Sequence, residues 1–240
     1  CDRLNQASLI DAAHFSGARL WVYPHADAGA LAKTLKRAES YRRRLILTET
    51  IFGMDGDMAP LPEIVSLAKS TNSMIMIDEA HSTAIMGPNG RGALEHFGIE
   101  PKDVDIIMGT MSKALGSIGG FACASKLVCD YLLNQSRTYI FTTSLPPAAC
   151  AAASEAIRIN AEEPELRKKL WHNVALMRDG LKVQGWPVSK VEAPIFPLII
   201  GDADKTMEVS TALLDRGFFV QGIRPPTVPK GTSRLRLTLS

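Results

Sequence analysis

Apolar residues along the first two-thirds of the chain fall into two rhythms. Ala28 to Ala38 carries them at helical spacing, with Leu31 and Leu35 four apart on one face, and Ala7 to Ser16 reads as a helix as well. Between such stretches lie short apolar runs without polar alternation, the mark of strands buried on both faces. Leu45 to Thr48 is one, and Ser73 to Ile77 is another that ends at Asp78. Arg19 to Tyr23, Val104 to Met108 and Gly120 to Ala124 read as further strands. Pro60 and Pro62 open a helix over Leu61 to Ala68, because proline is tolerated in a first turn.

Strands alternating with helices predict an α/β fold with a mainly parallel sheet covered on both faces. Ligands in such folds gather at the carboxyl ends of strands, where Asp78 and Thr110 stand. The pattern changes near Pro146. An alanine-rich helix over Ala148 to Ile159 leads into a charged helical stretch from Glu162 to Lys182. A strand at Ile195 to Ile200, a helix at Lys205 to Arg216 and a strand at Leu235 to Leu239 follow. The expected division is a large domain over residues 1–157 and a smaller α+β domain over 158–240.

Composition narrows the function classes. A net charge of +2 is too small to argue for nucleic acid or an anionic membrane as partner. No apolar run approaches the roughly 18 residues that a membrane-spanning helix needs. Cys1, Cys123, Cys129 and Cys150 form no C-x-x-C pair, so a reduced, cytoplasmic protein is expected. The histidines lack metal-ligand spacing, and no metal is expected. Arg42, Arg43 and Arg44 between a helix and a strand read as a solvated turn beside a helix end. The chain opens at Cys1 rather than Met, which suggests a fragment.

The chemistry concentrates in two segments. Met76-Ile77-Asp78-Glu79-Ala80-His81 closes an apolar strand with two acids and a histidine. Gly109-Thr110-Met111-Ser112-Lys113-Ala114-Leu115-Gly116 places a lysine among small residues. Pyridoxal phosphate chemistry needs a lysine that forms an imine with an aldehyde, and an acid that keeps a pyridine nitrogen protonated. Lys113 and Asp78 suit those roles, His81 could bond the ring's phenolic oxygen, and Thr110 a phosphate oxygen. Asp-Glu-Ala-His is also a helicase Walker B box. That reading needs an upstream G-x-x-x-x-G-K-[ST] loop, and these residues contain none.

Taken together, the motifs resemble the α-oxoamine synthases, fold-type I enzymes that condense an amino acid with an acyl thioester and release carbon dioxide. The matching stretches are Leu4 to Leu9, Met54-Asp55-Gly56-Asp57, Asp78-Glu79-Ala80-His81, Gly87 to Gly92 and the Ser112-Lys113 loop. They span nearly the whole chain. Arg224 to Pro229, followed by Gly231 to Arg236, resembles the branch that serves biotin synthesis. The resemblance implies pyridoxal 5′-phosphate as cofactor and, as substrates, L-alanine and a pimeloyl thioester of coenzyme A or a carrier protein. It also implies a fold-type I large domain with a seven-stranded type of sheet, here incomplete, and part of a small C-terminal domain. Sister enzymes that use glycine or serine share the catalytic residues.

Carried over residue by residue, the resemblance makes Lys113 the cofactor's attachment point and the base for the α-proton. Asp78 pairs with the pyridine nitrogen, Ala80 packs beneath the ring, His81 bonds the ring oxygen and Thr110 binds the phosphate. Arg236 holds the amino-acid carboxylate, a task suited to a bidentate guanidinium. Arg224 and Thr227 lie near the acyl substrate. Two positions depart from the family. Gln6 stands where a histidine usually stacks on the cofactor, and Gly53 where a serine hydroxyl is usual. The family's upstream phosphate loop also lies outside this sequence, so weak cofactor binding or a non-catalytic paralogue is the rival expectation. A homodimer with shared active sites is implied, in which Thr142, Thr143 and Ser144 reach a neighbouring subunit's phosphate.

Overall fold

Three apolar runs become parallel strands in the computed structural model, which describes residues 1–188 and 191–240. These are β1 (Leu45–Glu49), β2 (Met74–Asp78) and β3 (Ile106–Thr110), and β4 (Gly120–Ala124) closes the order β1-β2-β3-β4 by running antiparallel to β3. In register, Glu49 faces Asp78 and Asp78 faces Met108, so the acids line up at one end of the sheet. Ile46, Ile75 and Ile77 are almost fully buried. Each such side chain stabilises the fold by about 1.5–3 kcal/mol.

The β1–β2 crossover contains α3 (Leu61–Ser70), which buries Leu61, Ile64, Val65 and Ala68. Offsets of three, four and seven place those four on one stripe. Before it come α1 (Ala7–Phe15) and α2 (Ala28–Arg37), the latter capped by Asp27, whose carboxylate accepts from Ala30 N–H. Between β2 and β3 lies the short α4 (Ala93–Phe97). After β4 come α5 (Lys126–Gln135), α6 (Arg137–Ile140) and α7 (Pro147–Glu162). Arg44 donates to the carbonyls of Glu39 and Thr71, so the arginine turn ties down chain ends beside α2 and α3.

The chain divides into two compact units, Cys1–Ile51 with Met58–Pro164, and Phe52–Asp57 with Glu165–Ser240. The second contains α8 (Pro164–Val183) from Glu165 onward, β5 (Ile195–Gly201), α9 (Ala203–Leu214), β6 (Gln221–Ile223) and β7 (Ser233–Thr238). Its antiparallel sheet has the order β5-β7-β6. Val174 and Leu181 of α8 pack with Phe196, Leu198 and Leu235 of the sheet in its core. The segment Phe52–Asp57 is a tight turn in which Phe52 N–H donates to Asp57 O and Gly56 N–H to Phe52 O. Gly56 has φ +69°, and a Cβ there would stand 2.2 Å from Ile195 O. Only glycine fits that approach.

One expected element does not form. Arg19 to Tyr23 is not a strand; Tyr23 makes a single bridge to Asp2. The segment's ladder bonds run only to Cys1 and Arg3, and Trp21 is engaged instead by the guanidinium groups of Arg19 and Arg37. The third parallel strand also begins later than expected, at Ile106, because Asp105 turns its carboxylate to accept Ile75 N–H. Helices α4, α5 and α6 and strand β6 lack a clear apolar period. No described helix is long and apolar enough to cross a membrane.

Candidate active site

Buried strands that end together deliver polar residues to one edge, and the first unit's site is built there. Asp78, the last residue of β2, is 3% exposed. Its Oδ1 accepts from Ala80 N–H at 2.8 Å, and its Oδ2 is buried with no hydrogen-bond partner among the described residues. Burial pushes its pKa above the ordinary carboxylate range, against the Ala80 N–H and the positive charge of Lys113, which act the other way. A buried acceptor in this state is stabilised by any hydrogen-bond donor that reaches its spare oxygen.

Lys113 lies in the loop between β3 and β4. Its Nζ stands 3.0 Å from His81 Nε2, so the turn after β2 and the loop after β3 present an amine and an imidazole to each other. That pairing suits proton exchange between the two groups and attack of the neutral amine on a carbonyl. Ala80, between Asp78 and His81, is half-buried. Thr110, at the end of β3, has its hydroxyl against Ser112 Oγ at 2.7 Å and Gly119 O at 3.1 Å.

Gln6 is the residue before α1, and its side chain is exposed. Its backbone N–H donates to Glu49 Oε1 at 2.5 Å. Asn5 in turn donates to Leu47 O and accepts from Glu49 N–H. The carboxylate of Glu49 thus fixes Gln6 at the strand ends, a positioning role that the sequence reading overlooked. An acid closing an apolar strand, the signal that marked Asp78, marks Glu49 equally well.

In the second unit, β7 carries two arginines on one face. Arg234 is buried and donates to Asp55 Oδ1 at 2.7 Å, to Met54 O and to Thr232 O. Arg236, half-buried, donates from Nε to Gly53 O at 2.6 Å and has no acidic partner among the described residues. Burial lowers its pKa from the usual guanidinium value. Arg224, at the end of β6, and Thr227 are exposed, with Thr227 N–H donating to Arg224 O. Thr142, Thr143 and Ser144 are exposed between α6 and α7. Among the described residues, no cluster of three or more His, Cys, Asp or Glu side chains could hold a metal ion.

The family described as aminotransferase class I and II matches residues 1–240. An 8-amino-7-oxononanoate synthase from Citrifermentans bemidjiense is 50% identical over 240 residues, which is 99% of this chain and 61% of that protein. A variant serine palmitoyltransferase from S. paucimobilis with bound PLP–myriocin aldimine has a TM-score of 0.94 and 35% identity, over 99% of this chain and 60% of that one. An 8-amino-7-oxononanoate synthase from Francisella tularensis has a TM-score of 0.84 and 28% identity, over 99% and 68%. The chain thus spans about three-fifths of the length of the first two. A match over the whole chain to this family leaves the helicase reading of Asp78 to His81 without support.

Proposed function

The chain belongs to the aminotransferase class I and II family, and from that premise we propose a pyridoxal-phosphate-dependent acyltransferase. It condenses L-alanine with a pimeloyl thioester, with loss of carbon dioxide, to give 8-amino-7-oxononanoate. The likeness to synthases of that name supports the reaction. One observation carries the reading of the site: Asp78 Oδ2 is buried without a partner on the strand neighbouring the one that leads into Lys113.

The residues present fit the cofactor. A pyridine N–H would give Asp78 Oδ2 the donor it lacks, and ion pairing would draw the acid's raised pKa down again. When bound, the cofactor supplies an electron sink for bond breaking at the amino acid's α-carbon. Lys113 would be the attachment point and the base for the α-proton, with His81 beside it at 3.0 Å. Thr110 would turn its hydroxyl from Gly119 O to a phosphate oxygen, Ala80 would leave room for a flat ring, and Gln6 would stand where the stacking group does. Gly53 accepts from Arg236 through its backbone carbonyl and brings no hydroxyl. Arg236 binds the substrate carboxylate, because its guanidinium meets no acid among the described residues. Arg224 and Thr227 serve the acyl substrate.

A homodimer with shared active sites belongs to the same proposal. Leu127, Tyr131, Leu133, Tyr139 and Phe141 of the α5–α6 region are all more than half exposed, an apolar surface of the kind that partner subunits cover. Thr142 to Ser144, next to it, would meet the partner's phosphate.

A second reading, condensation of serine, is favoured by the TM-score of 0.94 to the serine palmitoyltransferase. Turnover with alanine, glycine and serine in parallel decides between them, and alanine should win. The site itself is tested by Lys113→Ala. That variant should lose the yellow absorbance that the wild-type holoenzyme shows; persistence of both colour and turnover would overturn the assignment.

A further inference from the structure

The acid beside Asp78 has no part in the proposed reaction, yet it is as deeply buried as its neighbour. Glu79 is 3% exposed. Its Oε1 accepts from Ala93 N–H at 2.9 Å and Leu94 N–H at 3.4 Å, the first residues of α4. Its backbone carbonyl accepts from Ser82 N–H, Thr83 N–H and the Thr83 hydroxyl. One residue therefore holds both ends of the segment from 79 to 93. Inside that segment Ala84 N–H donates to Gly90 O and Gly92 N–H to Met86 O. Gly92 has φ +99°, and a Cβ there would stand 1.7 Å from Glu79 Oε2. The glycine is what lets the carboxylate reach the helix amides.

We propose that Glu79 is a positioning residue for the cofactor. Its side chain locks the turn that presents Asp78, Ala80 and His81, and its charge acts on the neighbouring Asp78 carboxylate. This inference rests on the cofactor reading above. Burial raises the Glu79 pKa to about 7, opposed by the Leu94 and Ala93 amides and the Ser82 hydroxyl, with the charge of Asp78 adding to the rise. From α4 only backbone N–H groups meet it. A positive ring edge held by Asp78 favours the ionised form of Glu79, so by linkage cofactor affinity gains as Glu79 ionises.

The test is the dissociation constant of pyridoxal phosphate, read by absorbance at pH 6 and pH 8 for wild type and Glu79→Gln. Glutamine keeps the acceptor oxygen and removes the charge. The two proteins should agree within about twofold at pH 6, where Glu79 is itself neutral. At pH 8 wild type should bind about tenfold more tightly than the variant. Glu79→Asp keeps the charge but is one methylene short of the amides, and should weaken binding at both pH values. It carries the test if Glu79→Gln does not fold. A wild-type to Glu79→Gln ratio that is the same at both pH values, or Glu79→Asp binding as wild type does, overturns the proposal. Wild type that binds no cofactor at either pH overturns the underlying site instead, so the two failures are distinguishable.

Discussion

The two units solve the same electrostatic problem in opposite ways. In the first, a parallel sheet carries acids to its strand ends, and Asp78 is left buried with one oxygen unpartnered. In the second, an antiparallel sheet carries bases along one strand. There Arg234 is neutralised by Asp55, while Arg236, two residues on, meets a carbonyl and, among the described residues, no acid. Within each unit, then, stand a satisfied ionic group and an unsatisfied one. Glu79 has helix amides and Arg234 has an acid, whereas Asp78 and Arg236 have neither. A buried ionic group without a partner costs stability, and a bound ligand of opposite charge can offset that cost. The contrast is between charged groups satisfied within their own unit and charged groups that a bound ligand could satisfy.

The largest effect should come from Asp78. Asp78→Asn keeps the shape but cannot carry the charge, and kcat should fall about 1,000-fold, or about 4 kcal/mol of transition-state stabilisation. Steady-state turnover with saturating cofactor measures it. A fall of less than about threefold would dissolve the distinction between Asp78 and the satisfied acids.

Glu79 should show the reverse dependence, on stability. Its folded pKa of about 7 lies above its ordinary 4.5, so the unfolded chain releases the proton first as pH rises. Its contribution to the cofactor-free protein is therefore full below pH 4.5 and lost as pH climbs to about 7. The stability of wild type relative to Glu79→Gln should decline by up to about 3 kcal/mol over that window. Urea denaturation of both proteins at several pH values checks it.

Arg236 is the counterpart in the second unit. Arg236→Ala should raise the KM for the amino acid about 30-fold, or about 2 kcal/mol, while cofactor colour stays unchanged. Equal losses in cofactor binding and KM would mean that this side chain supports the fold rather than a carboxylate. The smallest effect belongs to the satisfied pair. Asp55 is a third exposed, so screening weakens the ion pair, and Asp55→Ala should cost about 1 kcal/mol of stability. Chemical denaturation with KM measured in parallel should show the stability change alone.

Much of this was legible without coordinates. The runs at Leu45, Ser73 and Ile195 became strands because each is too short for a stable helix and finds neighbouring strands to pair with in register. The helix at Leu61 followed from its proline start and its stripe. Where the pattern was weak, it misled: Arg19 to Tyr23 has β-prone residues, but its backbone meets only Cys1 to Arg3, so Val22 stays exposed. Helix α5 buries no residue, and its apolar Leu127, Tyr131 and Leu133 stay exposed.

By itself the sequence determined the family and the α/β class, because residue type and order need no geometry. Tertiary structure alone decided which polar residues have partners. Glu49, Asp78 and Glu79 are three acids at strand ends, alike in sequence. One holds the Gln6 amide, one has an empty oxygen, and one meets helix amides. Desolvation and hydrogen bonding depend on what lies within about 3 Å, and only the folded chain brings those atoms together.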